Sequence, residues 1–243
     1  FMLDFPLTAI VALSMSLLLY TERFSNRKFS ILFGISMGVG LVIKWSYIIF
    51  ITGPLFYVIL QGIYEGIKRK KNLAQLVINL LLAGCLAFII SAPWYLWSNG
   101  RHLKQIFSFW HIANVIPQDE IKPKSYSLWE SRYLWYLVSL INHQVSFVYF
   151  VVFLLVLPLF LMDNKVKSKL MFILWIIIPY VFLSHISFKQ QRFLVPILPA
   201  IAIISGSGLS MVRTCKVRRL IVVLLSIIGI IQYFLLSYTE VFM

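Results

Sequence analysis

The sequence predicts an all-α, polytopic membrane protein with about eight transmembrane helices and one long outer loop, and three observations carry that prediction. Hydrophobic residues make up 60% of the 243 residues and charged residues 12%, about half the charged share of an average soluble domain. Mean hydropathy is positive. The apolar residues also fall into long runs, each close to the ~20 residues that a helix needs to cross a ~30 Å hydrocarbon core.

The runs lie at 5–20, 29–43, 45–64, 75–97, 146–162, 170–186, 193–212 and 220–238. In the first, "FPLTAIVAL" follows Asp4, and Pro6 suits a first helical turn. Asp4 itself reads either as a carboxylate favoured by the helix dipole or as a functional group. The second run contains "GISMGVGLVI", whose small residues allow close helix packing. Only Lys44 and the polar step "KWSY" divide it from the third. Lys44 either snorkels or, because the chain continues apolar after it, is buried and paired. Asp4 with Lys44 is the expected ion pair, since ionisable groups within a membrane are costly unless partnered.

Between the fourth and fifth runs lies the outer loop, about 98–145, the only long polar stretch. Its start, "NGRHLKQIFSFWHIANV", has the spacing of a helix lying in the interface plane. Pro117 and Pro123 bracket a charge cluster in "IPQDEIKPKSYS". The aromatic "LWESRYLWYLVSLINHQ" that follows suits the headgroup level. Residues 1–243 form one transmembrane domain, with juxtamembrane helices in the loop. No internal repeat, low-complexity tract or soluble domain is visible.

The net charge of +14 is mostly a topology signal and does not point to nucleic acid. Strict alternation of eight crossings places "TERFSNRK", "IKRKKN", "DNKVKSK" and "RTCKVRR" on one side, with fourteen of the 22 Lys and Arg, which the positive-inside rule assigns to the cytoplasm. His102, His111, His143 and His185 then fall outside, together with Asp4, Asp119, Glu120, Glu130 and Glu240. The chemistry is therefore expected on the outer side. Cys85 and Cys215 form no disulfide framework or zinc spacing. There is no Gly-rich phosphate loop, HExxH or GxSxG. Asp119 and Glu120 read either as metal ligands with His111 or as a solvated loop tip.

The stretch "SFKQQRFLVPILP" places Lys189 and Arg192 against a helix carrying two prolines. As snorkelling anchors they mark a helix end; as a pair on the side poorer in cations, beside His185, they suit an anion such as a phosphate. Arg192 would be the bidentate partner and Lys189 a point charge. His185 and His143 read as acceptor-site groups or metal ligands, or as histidines satisfied locally.

In this order, "MLDFPLTAIVALSMSLLLY", "GISMGVGLVIKWSY", "APWYLW" and "FKQQRFLVPILPAIA" resemble the multi-spanning GT-C glycosyltransferases. The pattern is similar to the protein O-mannosyltransferase-like branch (glycosyltransferase family 39) and to the aminoarabinose transferases that modify lipid A. The resemblance runs from Asp4 to about Gly208. It implies transfer of a sugar from a polyprenyl-phosphate donor to a protein, lipid or glycan acceptor outside a membrane, a bacterial inner membrane for these branches. A divalent metal is optional and no other cofactor is implied. Position by position, Asp4 matches the acidic residue opening a middle helix near the active site, and Lys44 the lysine closing the next helix. Lys189 and Arg192 match basic residues that contact the lipid-linked phosphate. Phe193 stands where relatives carry Tyr. The family's principal catalytic acid lies in a first outer loop, expected upstream of Phe1, so the chain reads as the later part of a longer protein. The alternative class is a transporter or flippase of a lipid-linked or anionic solute, using the same cations.

Overall fold

A computed structural model of the chain describes residues 3–69, 73–97, 133–163, 166, 168–186, 189–212 and 214–241, with the side chains of Arg69, His143, Tyr233 and residues 235–241 outside that description. The described residues are helical almost throughout. In chain order they form α1 (Asp4–Tyr20), α2 (Arg27–Ile43), α3 (Tyr47–Arg69), α4 (Leu73–Trp97), α5 (Leu134–Ser139), a π-turn (Leu140–Val145), α6 (Phe147–Met162), α7 (Lys169–His185), a 3-10 segment (Gln191–Ile197), α8 (Leu198–Ser210) and α9 (Cys215–Val241). Each of the eight apolar runs is thus helical, with ends within a few residues of those expected. The loop residues 98–132, including His102, His111, Asp119, Glu120 and Glu130, lie outside the described residues.

Three stretches, Tyr47–Lys68, Leu73–Trp97 and Gln191–Ser210, are long and apolar enough to cross a membrane. Leu134–Asn142 with Phe147–Met162 makes a fourth if that pair, bent by 113°, is one span. Among the described residues this is fewer than the eight crossings the sequence predicts. Length accounts for three of the missing crossings: α1, α2 and α7 have 17 residues each, about 25 Å at 1.5 Å per residue, and need a thinned bilayer or snorkelling ends to cross; α9, with 27 residues, is not short.

Packing follows from small residues. α2 lies along α4, α3 along α7, and α6 along α8, while α1 touches α2, α3 and the 3-10 segment. A Cβ on Gly34 would come within 2.5 Å of the Ala83 carbonyl oxygen, and one on Gly38 within 2.7 Å of Ile90 Cβ. Hydrocarbon gives helices no solvent-driven reason to associate, so close backbone approach and hydrogen bonds must supply it. In α1 the buried residues Leu7, Val11, Ser14, Met15 and Leu18 recur at helical spacing, whereas Phe5, Leu13, Leu19 and Tyr20 remain exposed.

At the end of α1 carrying the "TERFSNRK" cations, the link to α2 is left-handed at Glu22, Arg23 and Phe24 (φ 48°, 62° and 61°). Such a conformation costs about 1–2 kcal/mol per non-glycine residue. Offsetting contacts surround it. Phe24 is buried, Asn79 Nδ2 donates to its carbonyl at 2.7 Å, Gln75 Nε2 donates to the Ser25 carbonyl at 2.9 Å, and Arg23 pairs with Glu65 at 2.6 Å.

The α2–α4 contact yields a test. Replacing Gly34 by Val puts side-chain atoms against the backbone of α4, and overpacking of this kind costs about 1–3 kcal/mol or more. The detergent-solubilised protein is expected to unfold at a clearly lower temperature than one carrying Gly84→Val, where no atom lies within 4 Å of an added Cβ. Equal midpoints for the two variants would contradict the close packing.

Candidate functional site

The end of the bundle away from the left-handed link gathers the N-terminus of α1, the C-terminus of α2, the C-terminus of α7 and the 3-10 segment. Asp4 opens α1 and is buried; Thr8 Oγ1 donates to its carbonyl at 2.7 Å. Lys44 terminates α2 in an extended backbone conformation, φ −160° and ψ 129°. That conformation breaks the helix and throws the lysine across to α1, where Nζ meets Asp4 Oδ1 at 2.6 Å. The expected ion pair is formed.

A second cation approaches the same carboxylate. Arg192 Nε lies 3.7 Å from Asp4 Oδ2 and donates to Gln190 Oε1 at 2.8 Å. The side chains differ in exposure, 9% for Asp4, 23% for Lys44 and 52% for Arg192. Asp4 is thus the buried centre and Arg192 the arm nearest solvent. Phe193 supplies a floor: its ring lies beneath Lys44 Nζ, 5.3 Å from the centroid, a cation–π distance. The aromatic ring keeps that contact without the tyrosine hydroxyl.

Beside this trio is a cavity of about 80 Å³ lined by Asp4, Leu7, Lys44, Trp45, Ser46, Ile49, Phe50, Leu183, Ile186 and Phe193. Its wall is apolar except at the Asp4–Lys44 end. Chemically it offers a hydrocarbon-lined recess with the Asp4–Lys44 pair at one end, and Arg192 reaches that pair from the 3-10 segment.

Lys189 and His185 are brought to the same end but face another element. Lys189 Nζ lies over the Tyr136 ring, 5.7 Å from its centroid. His185 Nε2 is 3.2 Å from Tyr133 Oη, and its Nδ1 is 2.8 Å from the Val181 carbonyl oxygen. Both tyrosines belong to the α5 region, which packs on α7 and the 3-10 segment, and Gln144 Nε2 donates to the Gln191 carbonyl. His143 sits in the π-turn, but its side chain lies outside the described residues. Among the described residues no three His, Cys, Asp or Glu side chains come together as a metal site would require.

Sequence reasoning missed Gln190, which orients Arg192, the role of Phe193 as a platform, and the pairing of Tyr133 and Tyr136 with His185 and Lys189. The aromatic richness of "LWESRYLWYLV" signalled an interfacial position. Nothing in its spacing signalled which neighbour it would meet.

Residues 5–243 match the protein family described as the Alg9-like mannosyltransferase family. No curated protein and no solved structure matches the chain.

The ion pair can be tested without any substrate. Removing one partner of a buried pair leaves the other uncompensated, at a cost of roughly 3–5 kcal/mol when burial is complete; the partial exposure of Lys44 puts the expected loss at the low end. Lys44→Met and Asp4→Asn should each lower the unfolding midpoint in detergent, and the double variant should recover most of the loss. Additive losses would show that the pair is not coupled.

Proposed function

The chain belongs to the Alg9-like mannosyltransferase family, membrane enzymes of the GT-C class that use polyprenyl-phosphate-mannose, and on that premise we propose that Lys44 and Arg192, positioned by Asp4, hold the donor's phosphate. The family assignment selects the transferase reading over the transporter. It also moves the finer resemblance away from the family 39 branch, so the acceptor we propose is a lipid-linked glycan and the donor a dolichyl-phosphate-mannose.

One observation carries the assignment of the phosphate to this place: two cations converge on a buried carboxylate at the mouth of an apolar recess. A polyprenyl phosphate has the complementary form, an anion joined directly to hydrocarbon. One carboxylate against two cations leaves the trio net positive, and Lys189, three residues before Arg192, adds a further positive charge nearby.

The reaction would proceed as follows. The acceptor hydroxyl oxygen forms a bond to the anomeric carbon of mannose, and the bond from that carbon to the phosphate oxygen breaks with its electron pair staying on phosphate. The hydroxyl proton passes to a base. The carrier thereby changes from a phosphodiester with one negative charge to a monoester with between one and two. Cations fixed beside it favour the departing group more than the bound donor, which is the condition for lowering the barrier. Low polarity around the recess strengthens that attraction. Both Asp4 oxygens already face cations, so Asp4 serves in this scheme to position them, and another group takes the proton.

The family typically works in the membrane of the endoplasmic reticulum rather than the bacterial inner membrane expected from the motif-level resemblance. We place the site on the face away from the cytoplasm, opposite the cation-rich loops.

The test uses the full-length protein in membranes and follows labelled mannose from polyprenyl-phosphate-mannose to a lipid-linked glycan. Removing one group that stabilises developing charge typically costs about 10²–10³ in rate, and Arg192→Ala and Asp4→Asn are expected to lose that much at matched expression. Full transfer by both would return Lys189 and Arg192 to the role of membrane anchors.

A further inference from the structure

Below the Asp4–Lys44 pair, α1, α2 and α3 are joined by a chain of hydroxyl groups. Tyr47 Oη lies 2.7 Å from Ser14 Oγ, which lies 3.0 Å from Ser36 Oγ, which in turn lies 2.8 Å from the Phe33 carbonyl oxygen. Tyr47, Ser14 and Ser36 are all buried. Each hydroxyl has one proton: Tyr47 donates to Ser14, Ser36 donates to the Phe33 carbonyl, and the Ser14 proton has two acceptors within reach, the Ile10 carbonyl oxygen at 2.7 Å and Ser36 Oγ at 3.0 Å. No hydroxyl in the chain is then left unpaired in a setting where that would be expensive.

The same tyrosine fixes the corner from which Lys44 projects. Its ring fills a notch in α2: a Cβ on Gly40 would come within 2.4 Å of Tyr47 Cδ2 and Cε2. Its backbone N–H donates to the Lys44 carbonyl at 3.0 Å, and the next two residues continue the tight turn, Ile48 to Trp45 and Ile49 to Ser46. Between Lys44 and Tyr47 there is no slack. At the other end of the hydroxyl chain, Ser14 stands on α1, the helix that begins with Asp4. The relay therefore ties the helix bearing the carboxylate to the corner bearing the lysine.

We infer that Tyr47 is a positioning residue: through its hydroxyl bond to Ser14 it sets the register of Lys44 against Asp4. Its use in transfer rests on the phosphate-site reading above; the geometric coupling does not. Tyr47→Phe keeps the ring in the Gly40 notch and removes only the hydroxyl, so the fold survives while the register relaxes. Ser14→Ala removes the same bond from the other side.

Two measurements in the full-length protein separate the possibilities. In a Cys85→Ser, Cys215→Ser background, both native thiols being exposed, Asp4→Cys and Lys44→Cys report the register through their rate of coupling by a short bis-methanethiosulfonate. Tyr47→Phe and Ser14→Ala are each expected to slow that coupling several-fold, and the two together no further. Unchanged coupling overturns the inference whatever the activity. In mannose transfer, Tyr47→Phe is expected to lower kcat/KM roughly tenfold, within the hundredfold that a 1 Å misplacement can cost, and to have no further effect once Lys44 is Met. An equal loss in the Lys44→Met background means that Tyr47 acts on the fold at large and overturns the positioning role. Slower coupling with full transfer by Lys44→Met alone would sink the phosphate-site reading and leave the geometric link supported.

Discussion

A carboxylate at a helix end buried in hydrocarbon must have a cation, and the contact between Asp4 and Lys44 meets that requirement. Their 2.6 Å separation joins the first residue of α1 to the last turn of α2, so two helix ends that carry unsatisfied backbone groups are held together by charge. Arg192 reaches the same carboxylate from the 3-10 segment, which places a third element on this point. Were Asp4 absent, two cations, Lys44 and Arg192, would converge on this end of the bundle without the carboxylate between them. The organisation of this end of the bundle follows from that one carboxylate.

The pair can form only because the helices approach closely. Gly34 and Gly38 let α2 lie against α4, and Gly40 opens the notch that receives the Tyr47 ring. With a larger residue at position 40 the ring would be displaced, and the turn that presents Lys44 would move with it. At the opposite end the α1–α2 link accepts three left-handed residues and anchors them through Asn79, Gln75 and the Arg23–Glu65 pair. The two ends share a logic: a costly local feature is offset by contacts from other helices, so neither end can shift alone.

Much of this was legible in the sequence because a bilayer imposes simple rules. All eight apolar runs became helical and seven of them a single helix each, since backbone groups in hydrocarbon must be satisfied within the chain. The Asp4–Lys44 pair was legible because a charge in that position must find a partner. The short lengths of α1, α2 and α7 were visible in their apolar runs, but a short run counts as a crossing only if the bilayer thins or flanking residues snorkel. The segment read as one helix over 193–212 is divided at Ile197 into a 3-10 turn and α8, and Pro196 and Pro199 explain why, each lacking a backbone donor. Neither the π-turn at Leu140–Val145 nor the 113° bend leaves a periodic trace; Ser146, between the π-turn and α6, adopts φ 66°.

Geometry also separates fixed from releasable groups within the proposed site. Lys44 is held by a short contact to Asp4, by the face of Phe193 and by a corner without slack. Arg192 is half exposed, sits at 3.7 Å from the carboxylate and donates its closer hydrogen bond to Gln190 Oε1. An arriving phosphate competes with Asp4 for both cations, but it displaces a long contact more easily than a short one. In the proposed reaction Arg192 therefore turns to the phosphate while Lys44 stays on Asp4 and contributes its field from a fixed position. This division requires the carboxylate to remain in place as the donor enters and leaves, which is why a residue that never transfers a proton can still be needed for every turnover.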